Sequence, residues 1–113
     1  MVKNNILDPM GWFPKIAAYI KSQLKIDGLR FFAFGGRSVG IIRQKGDFDI
    51  LIFSPRKTNF NIRNAVHKNT KAHFLNFIDE NNKPVKVDAF FKVSNNEKDI
   101  TEQELRCEIF PED

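Results

Sequence analysis

A chain of 113 residues suits one compact domain, and 42% hydrophobic content with twelve phenylalanines excludes a disordered polymer. A single cysteine, Cys107, excludes an intramolecular disulfide and a cysteine-built zinc site. The formal charge of +4 is compatible with a polyanionic partner without requiring one, and the absence of a long apolar run leaves no membrane partner and a cytoplasmic protein (host cytoplasm if viral) as the expectation.

Trp12, Ile16, Tyr19, Ile20 and Leu24 recur at helical spacing, with Lys15, Lys21 and Lys25 elsewhere on the wheel. They predict a helix over 12–26 that Asp27-Gly28 ends, with Pro14 in the first turn, where its missing N–H is harmless. Residues 29–34 read as a short buried strand, broken by Gly35-Gly36. Residues 37–44 predict a short helix with Val39, Ile41 and Ile42 as its apolar contacts. Strand, glycine turn and helix N-terminus together suit a phosphate, because glycine lets the backbone approach and first-turn N–H groups point at the anion. The same pattern also serves as a tight turn that binds nothing.

Residues 47–53 predict the second strand, closed by turn residues at 54–57. Ile62, Ala65 and Val66 are spaced for a surface helix over 59–71, and His67 and His73 fall on different faces, so they make no metal pair. The apolar runs 74–78 and 85–91 flank the turn-rich stretch 79–84 and read as a β-hairpin. In the tail, Thr101 and Glu104 have the spacing of a capping box, opening a short helix that carries Leu105, Ile109 and Phe110.

The chemistry lies in three carboxylates. Side chains alternate along a strand, so Asp47 and Asp49 share a face and Phe48 takes the other. Two like charges on a largely apolar strand disfavour each other's ionisation, and a divalent cation removes that cost. Taken alone, the pair reads equally well as a solvated strand end. Asp88 is a lone carboxylate in an otherwise apolar strand, which also calls for a partner. If that strand lies beside the first pair, at the usual spacing of about 4.8 Å, the three could surround two cations about 3.5–4 Å apart.

The motif F-G-G-R-S-x-G-(x5)-G-D-F-D-I-L-I, followed at 85–91 by V-K-V-D-A-F-F, resembles the nucleotidyltransferase superfamily of DNA polymerase β, and by length its minimal nucleotidyltransferases. That superfamily's pattern is an apolar residue, Gly, then Gly or Ser, a spacer, Asp-x-Asp or Asp-x-Glu, and a later third carboxylate on a strand. Phe34, Gly35, Gly36, Asp47, Asp49 and Asp88 occupy those positions within residues 29–92. Two departures stand out. Many minimal members have Ser where this chain has Gly36, and Arg or Lys where it has Val39; Ser38, Arg37, Arg43 or Lys45 would have to compensate.

The resemblance implies an α+β fold with a mixed sheet, palm-like, of about four strands with helices on one face. A single domain would fill 1–113, with its core at about 12–92 and a short C-terminal extension. It implies transfer of an NMP from an NTP, ATP foremost, to a hydroxyl of a protein or nucleic acid, with release of pyrophosphate. Asp47, Asp49 and Asp88 would be the catalytic and metal-holding residues for two Mg²⁺ ions, with Mn²⁺ as a substitute. Gly35, Gly36, Arg37, Ser38 and Lys45 would bind the phosphates. Small members of the superfamily act as antitoxins on a HEPN-type toxin, which gives one form for a protein acceptor. A compact polymerase palm and a non-catalytic nucleotide-binding module are the alternatives.

Overall fold

In the computed structural model, which describes residues 6–41 and 46–113, the chain opens on a helix, α1 (Trp12–Leu24). Asp8 fixes its start by accepting the N–H groups of Trp12 and Phe13, each at 2.7 Å, and Pro14 sits in the first turn as expected. Strand β1 (Arg30–Phe34) follows, then a single 3₁₀ turn (Gly36–Val39), then β2 (Phe48–Ser54). Helix α2 (Phe60–Phe74) leads to β3 (Val87–Val93), and the chain closes with α3 (Glu102–Arg106) and β4 (Glu108–Ile109). The result is an α+β domain whose described residues form a four-stranded mixed sheet in the order β3-β2-β1-β4.

The sheet is antiparallel except between β2 and β3, which run parallel. A parallel pair needs a crossover, and α2 supplies it. This corrects the hairpin expected from the runs 74–78 and 85–91. Phe74 ends α2 and packs into the core, with its ring edge-on to Trp12 at 6.2 Å and to Tyr19 at 5.7 Å. Only a bridge between Ile78 and Pro84 remains of the pairing. The apolar run there serves helix packing, a use that a short run does not reveal by its period.

Alternation along β2 divides the protein in two. Phe48, Ile50 and Ile52 are fully buried and join Phe13, Ile16, Ala17 and Ile20 of α1 and Val66 of α2 in the main core. Leu51 and Phe53 face the other way, where they meet Phe32, Ile100 and Leu105. Helices are therefore not confined to one face: α1 and α2 cover one, and the short α3 covers part of the other. The capping box at Thr101 and Glu104 forms as expected. Ile109, expected on that helix, lies instead on β4, which pairs with β1 and makes the tail part of the sheet. None of the described helices is long and apolar enough to cross a membrane.

Candidate active site

Asp49 lies on β2 between Phe48 and Ile50, both of which enter the helix-covered core, so its own side chain takes the opposite face. On β3, Val87 is buried in that core and Ala89 and Phe91 pack against it, which turns Asp88 toward the same side as Asp49. The parallel register makes Asp49 and Asp88 direct partners on neighbouring strands. Asp47 immediately precedes β2 with the same parity as Asp49. Asp88, about forty residues further along the chain, is thus brought to the same face and the same end of the sheet as Asp47 and Asp49.

Their mutual influence shows at Asp49, whose carboxyl is pushed up to about 6, first by burial and then by the charges of Asp88 and Asp47. Asp47 has a buried Oδ1 that finds no hydrogen-bond donor among the described residues. A buried carboxylate oxygen without a donor is costly, and an oxygen-seeking cation would relieve it. Carboxylate oxygens are the kind of donor that Mg²⁺ or Mn²⁺ takes. The carboxylates do not close on a single point: among the described residues no group of three or more His, Cys, Asp or Glu side chains is arranged to hold a metal ion.

The glycine pair is built into this site more tightly than a phosphate turn requires. Gly35 has φ +76°, and a Cβ there would collide with Oδ2 of Asp49. A Cβ on Gly36 would lie 2.9 Å from the carbonyl of Ile41, whose N–H returns to the Gly36 carbonyl at 2.8 Å. The first glycine makes room for the carboxylate and the second closes the loop. The turn that follows is a single 3₁₀ turn rather than the helix expected over 37–44, so it brings little dipole field. Residues 42–45, which include the end of that expected helix with Arg43 and the expected phosphate ligand Lys45 beyond it, lie outside the described residues. Gly35, Gly36, Arg37, Gly46, Asp47 and Asp49 are among the residues that line a concavity of about 400 Å³.

Two of the expected phosphate ligands, Arg37 and Ser38, also make bonds that hold the fold together. Arg37 is 1% exposed, its guanidinium lying 3.9 Å over the ring of Phe48. It donates to the carbonyls of Gly46 and Leu7, approaches Asp79 at 3.5 Å, and lies 2.7 Å from Glu80 Oε1. Ser38 is also buried and gives its hydroxyl to the Gly35 carbonyl at 2.7 Å. What Arg37 does is tie together the cradle, the lead into Asp47 and the turn before β3. That turn is itself ordered by Asp79 Oδ1, which accepts the N–H groups of Asn81 and Lys83. The sequence signal for this clamp was the pair Asp79-Glu80 in a stretch read only as a turn.

Fold and site define a small α+β domain with a carboxylate triad beside a glycine cradle. No protein-family model matches the chain, and neither a curated protein nor a solved structure does.

Proposed function

We propose that the domain is a metal-dependent nucleotidyltransferase: an acceptor hydroxyl and an NTP give the NMP ester of the acceptor and pyrophosphate. The observation that carries this reading is the register of Asp49 against Asp88 on one face, beside Asp47 and the glycine turn. Asp47, Asp49 and Asp88 would hold Mg²⁺, which when bound neutralises phosphate charge and lowers the pKa of a hydroxyl. Asp88 is placed on its own strand beside the pair, as suits a group that takes the proton of the attacking hydroxyl. The concavity at Gly35 and Gly36 receives the phosphates, and the Arg37 clamp holds the cradle in register with Asp47.

The test is label transfer. The protein is incubated with each α-labelled NTP and Mg²⁺ or Mn²⁺ in a cell lysate, against the Asp49→Asn variant. A labelled protein or nucleic acid that depends on the metal and on Asp49 is expected; transfer that survives Asp49→Asn unchanged would sink the reading.

A further inference from the structure

We infer that His67 is a positioning residue for Asp88, acting through the main chain of β3. In the described sheet β3 is an edge strand, so one side of its backbone has no neighbouring strand. The side that faces β2 is marked by two bonds. The Phe48 N–H donates to the Lys86 carbonyl at 2.8 Å, and the Ser94 N–H donates to the Ser54 carbonyl at 3.0 Å. Backbone groups alternate in direction along a strand, so Asp88 bonds inward as Lys86 and Ser94 do, and Ala89 turns its N–H outward. A half-buried N–H there calls for an acceptor. His67 of α2 supplies it: Nδ1 accepts the Ala89 N–H at 3.3 Å. Among the described residues this is the one outward N–H of β3 that a side chain accepts.

The bond falls at the residue that matters to the acidic site. The Ala89 N–H and the Asp88 carbonyl belong to one planar peptide unit. β2 holds that unit from one side and His67 from the other, so the backbone that carries the Asp88 side chain is restrained from rocking about the strand axis. Asp49 needs no such brace, because β2 has β1 on one side and β3 on the other. α2 is a firm support: it is the crossover between β2 and β3, and Val66, next to His67, is buried in the main core. A backbone N–H only donates, so Nδ1 is the bare nitrogen of the ring and Nε2 carries the proton. The requirement is therefore an acceptor at the Nδ1 position rather than bulk. Asparagine offers an oxygen at the same reach, glutamine places its oxygen one bond further out, and leucine has none. The effect on a metal rests on the carboxylate site of the proposed function; the hydrogen bond itself does not.

The test compares His67→Leu, His67→Gln and His67→Asn in the full chain. Without metal, amide hydrogen exchange at Ala89, followed by NMR, should be about fivefold faster in the Leu and Gln variants, the scale of one hydrogen bond. Calorimetric titration with Mg²⁺ should find binding about tenfold weaker in the same two, as when a group that orients a metal ligand is lost. His67→Asn should return both readings to within about twofold of the unaltered chain, because the acceptor is restored. His67 is half-buried on the outside of α2, so melting curves should show all three variants folded. Should His67→Leu unfold, Gln against Asn carries the same comparison. Undiminished Mg²⁺ affinity or unchanged Ala89 exchange in the Leu and Gln variants overturns the inference. Equal losses in all three variants also overturn it, since His67 would then act by packing alone. Absence of Mg²⁺ binding by the unaltered chain removes the inference together with the metal site. Mg²⁺ binding that responds to His67 without label transfer removes the reaction alone, and label transfer that ignores His67 removes the inference alone.

Discussion

The two faces of the sheet are made from the same strands and serve opposite ends. Along β2, Phe48, Ile50 and Ile52 vanish into a core sealed by two helices, whereas Asp49, one residue away, is partly buried with its charge uncompensated. The helix-covered face buries most of its apolar side chains and supplies the stability. The open face places like charges together, an arrangement that weakens folding and is kept where a site needs it. Substitutions on the two faces should therefore separate activity from stability.

The largest expected effect is on the open face. Asp49→Asn should lower label transfer by roughly a hundred- to a thousandfold, the scale of losing one centre of transition-state charge stabilisation. Thermal unfolding of the same variant should be unchanged or shifted upward, because a repelled charge has gone; a clear fall in Tm would mean that Asp49 is a structural residue. On the sealed face, Ile50→Ala should cost roughly 2–5 kcal/mol in denaturant titration, by lost burial and the cavity left behind. Its folded fraction should retain transfer.

Arg37 joins the faces and should do both. Arg37→Leu leaves Asp79 and Glu80 without their cation, at a cost of roughly 3–5 kcal/mol, against the 5–15 kcal/mol that holds a domain together. The surviving folded protein should also bind Mg²⁺ and NTP less well, because the Gly46 carbonyl ahead of Asp47 loses its anchor. Retention of full metal affinity would separate the clamp from the site. Gly35→Ala should cost about 1–3 kcal/mol for the backbone alone, because φ +76° with ψ −161° is a conformation essentially confined to glycine. It should abolish transfer as well, since the added methyl displaces the Asp49 carboxyl.

The smallest effects follow pH. The folded Asp49 carboxyl holds its proton to about 6, above its unfolded value. Folding is thus favoured while the group is protonated, and that advantage is lost as pH rises from about 4 to about 6. The loss should be about 1 kcal/mol once partial exposure and screening are allowed for. Metal affinity runs the other way: Mg²⁺ needs the ionised carboxylate, so calorimetry should find binding about tenfold weaker at pH 5 than at pH 7. In Asp49→Asn both dependences should flatten.

Local patterns were readable wherever one element explained them. The periodicity from Trp12 to Leu24, the break at Gly35-Gly36, the alternation around Asp49 and the capping box at Thr101 all recur in the fold. Readings failed where a residue's partner was remote. The 74–78 run reads as a strand in the sequence because its use, against Trp12 and Tyr19, depends on α1 lying beside it. Nothing near Arg37 in the sequence names Asp79, Glu80 and Leu7 as its partners, so its clamp is invisible to local pattern.

The chain by itself determined which residues carry charge on which side of each strand, since alternation follows from backbone geometry alone. Only the tertiary structure decided that β2 and β3 run parallel with Asp49 opposite Asp88, and that Gly35 is a glycine because a carboxylate fills the space of its side chain. Register and close approach are relations between segments, fixed by which apolar faces must be buried together, and a single segment does not contain that information.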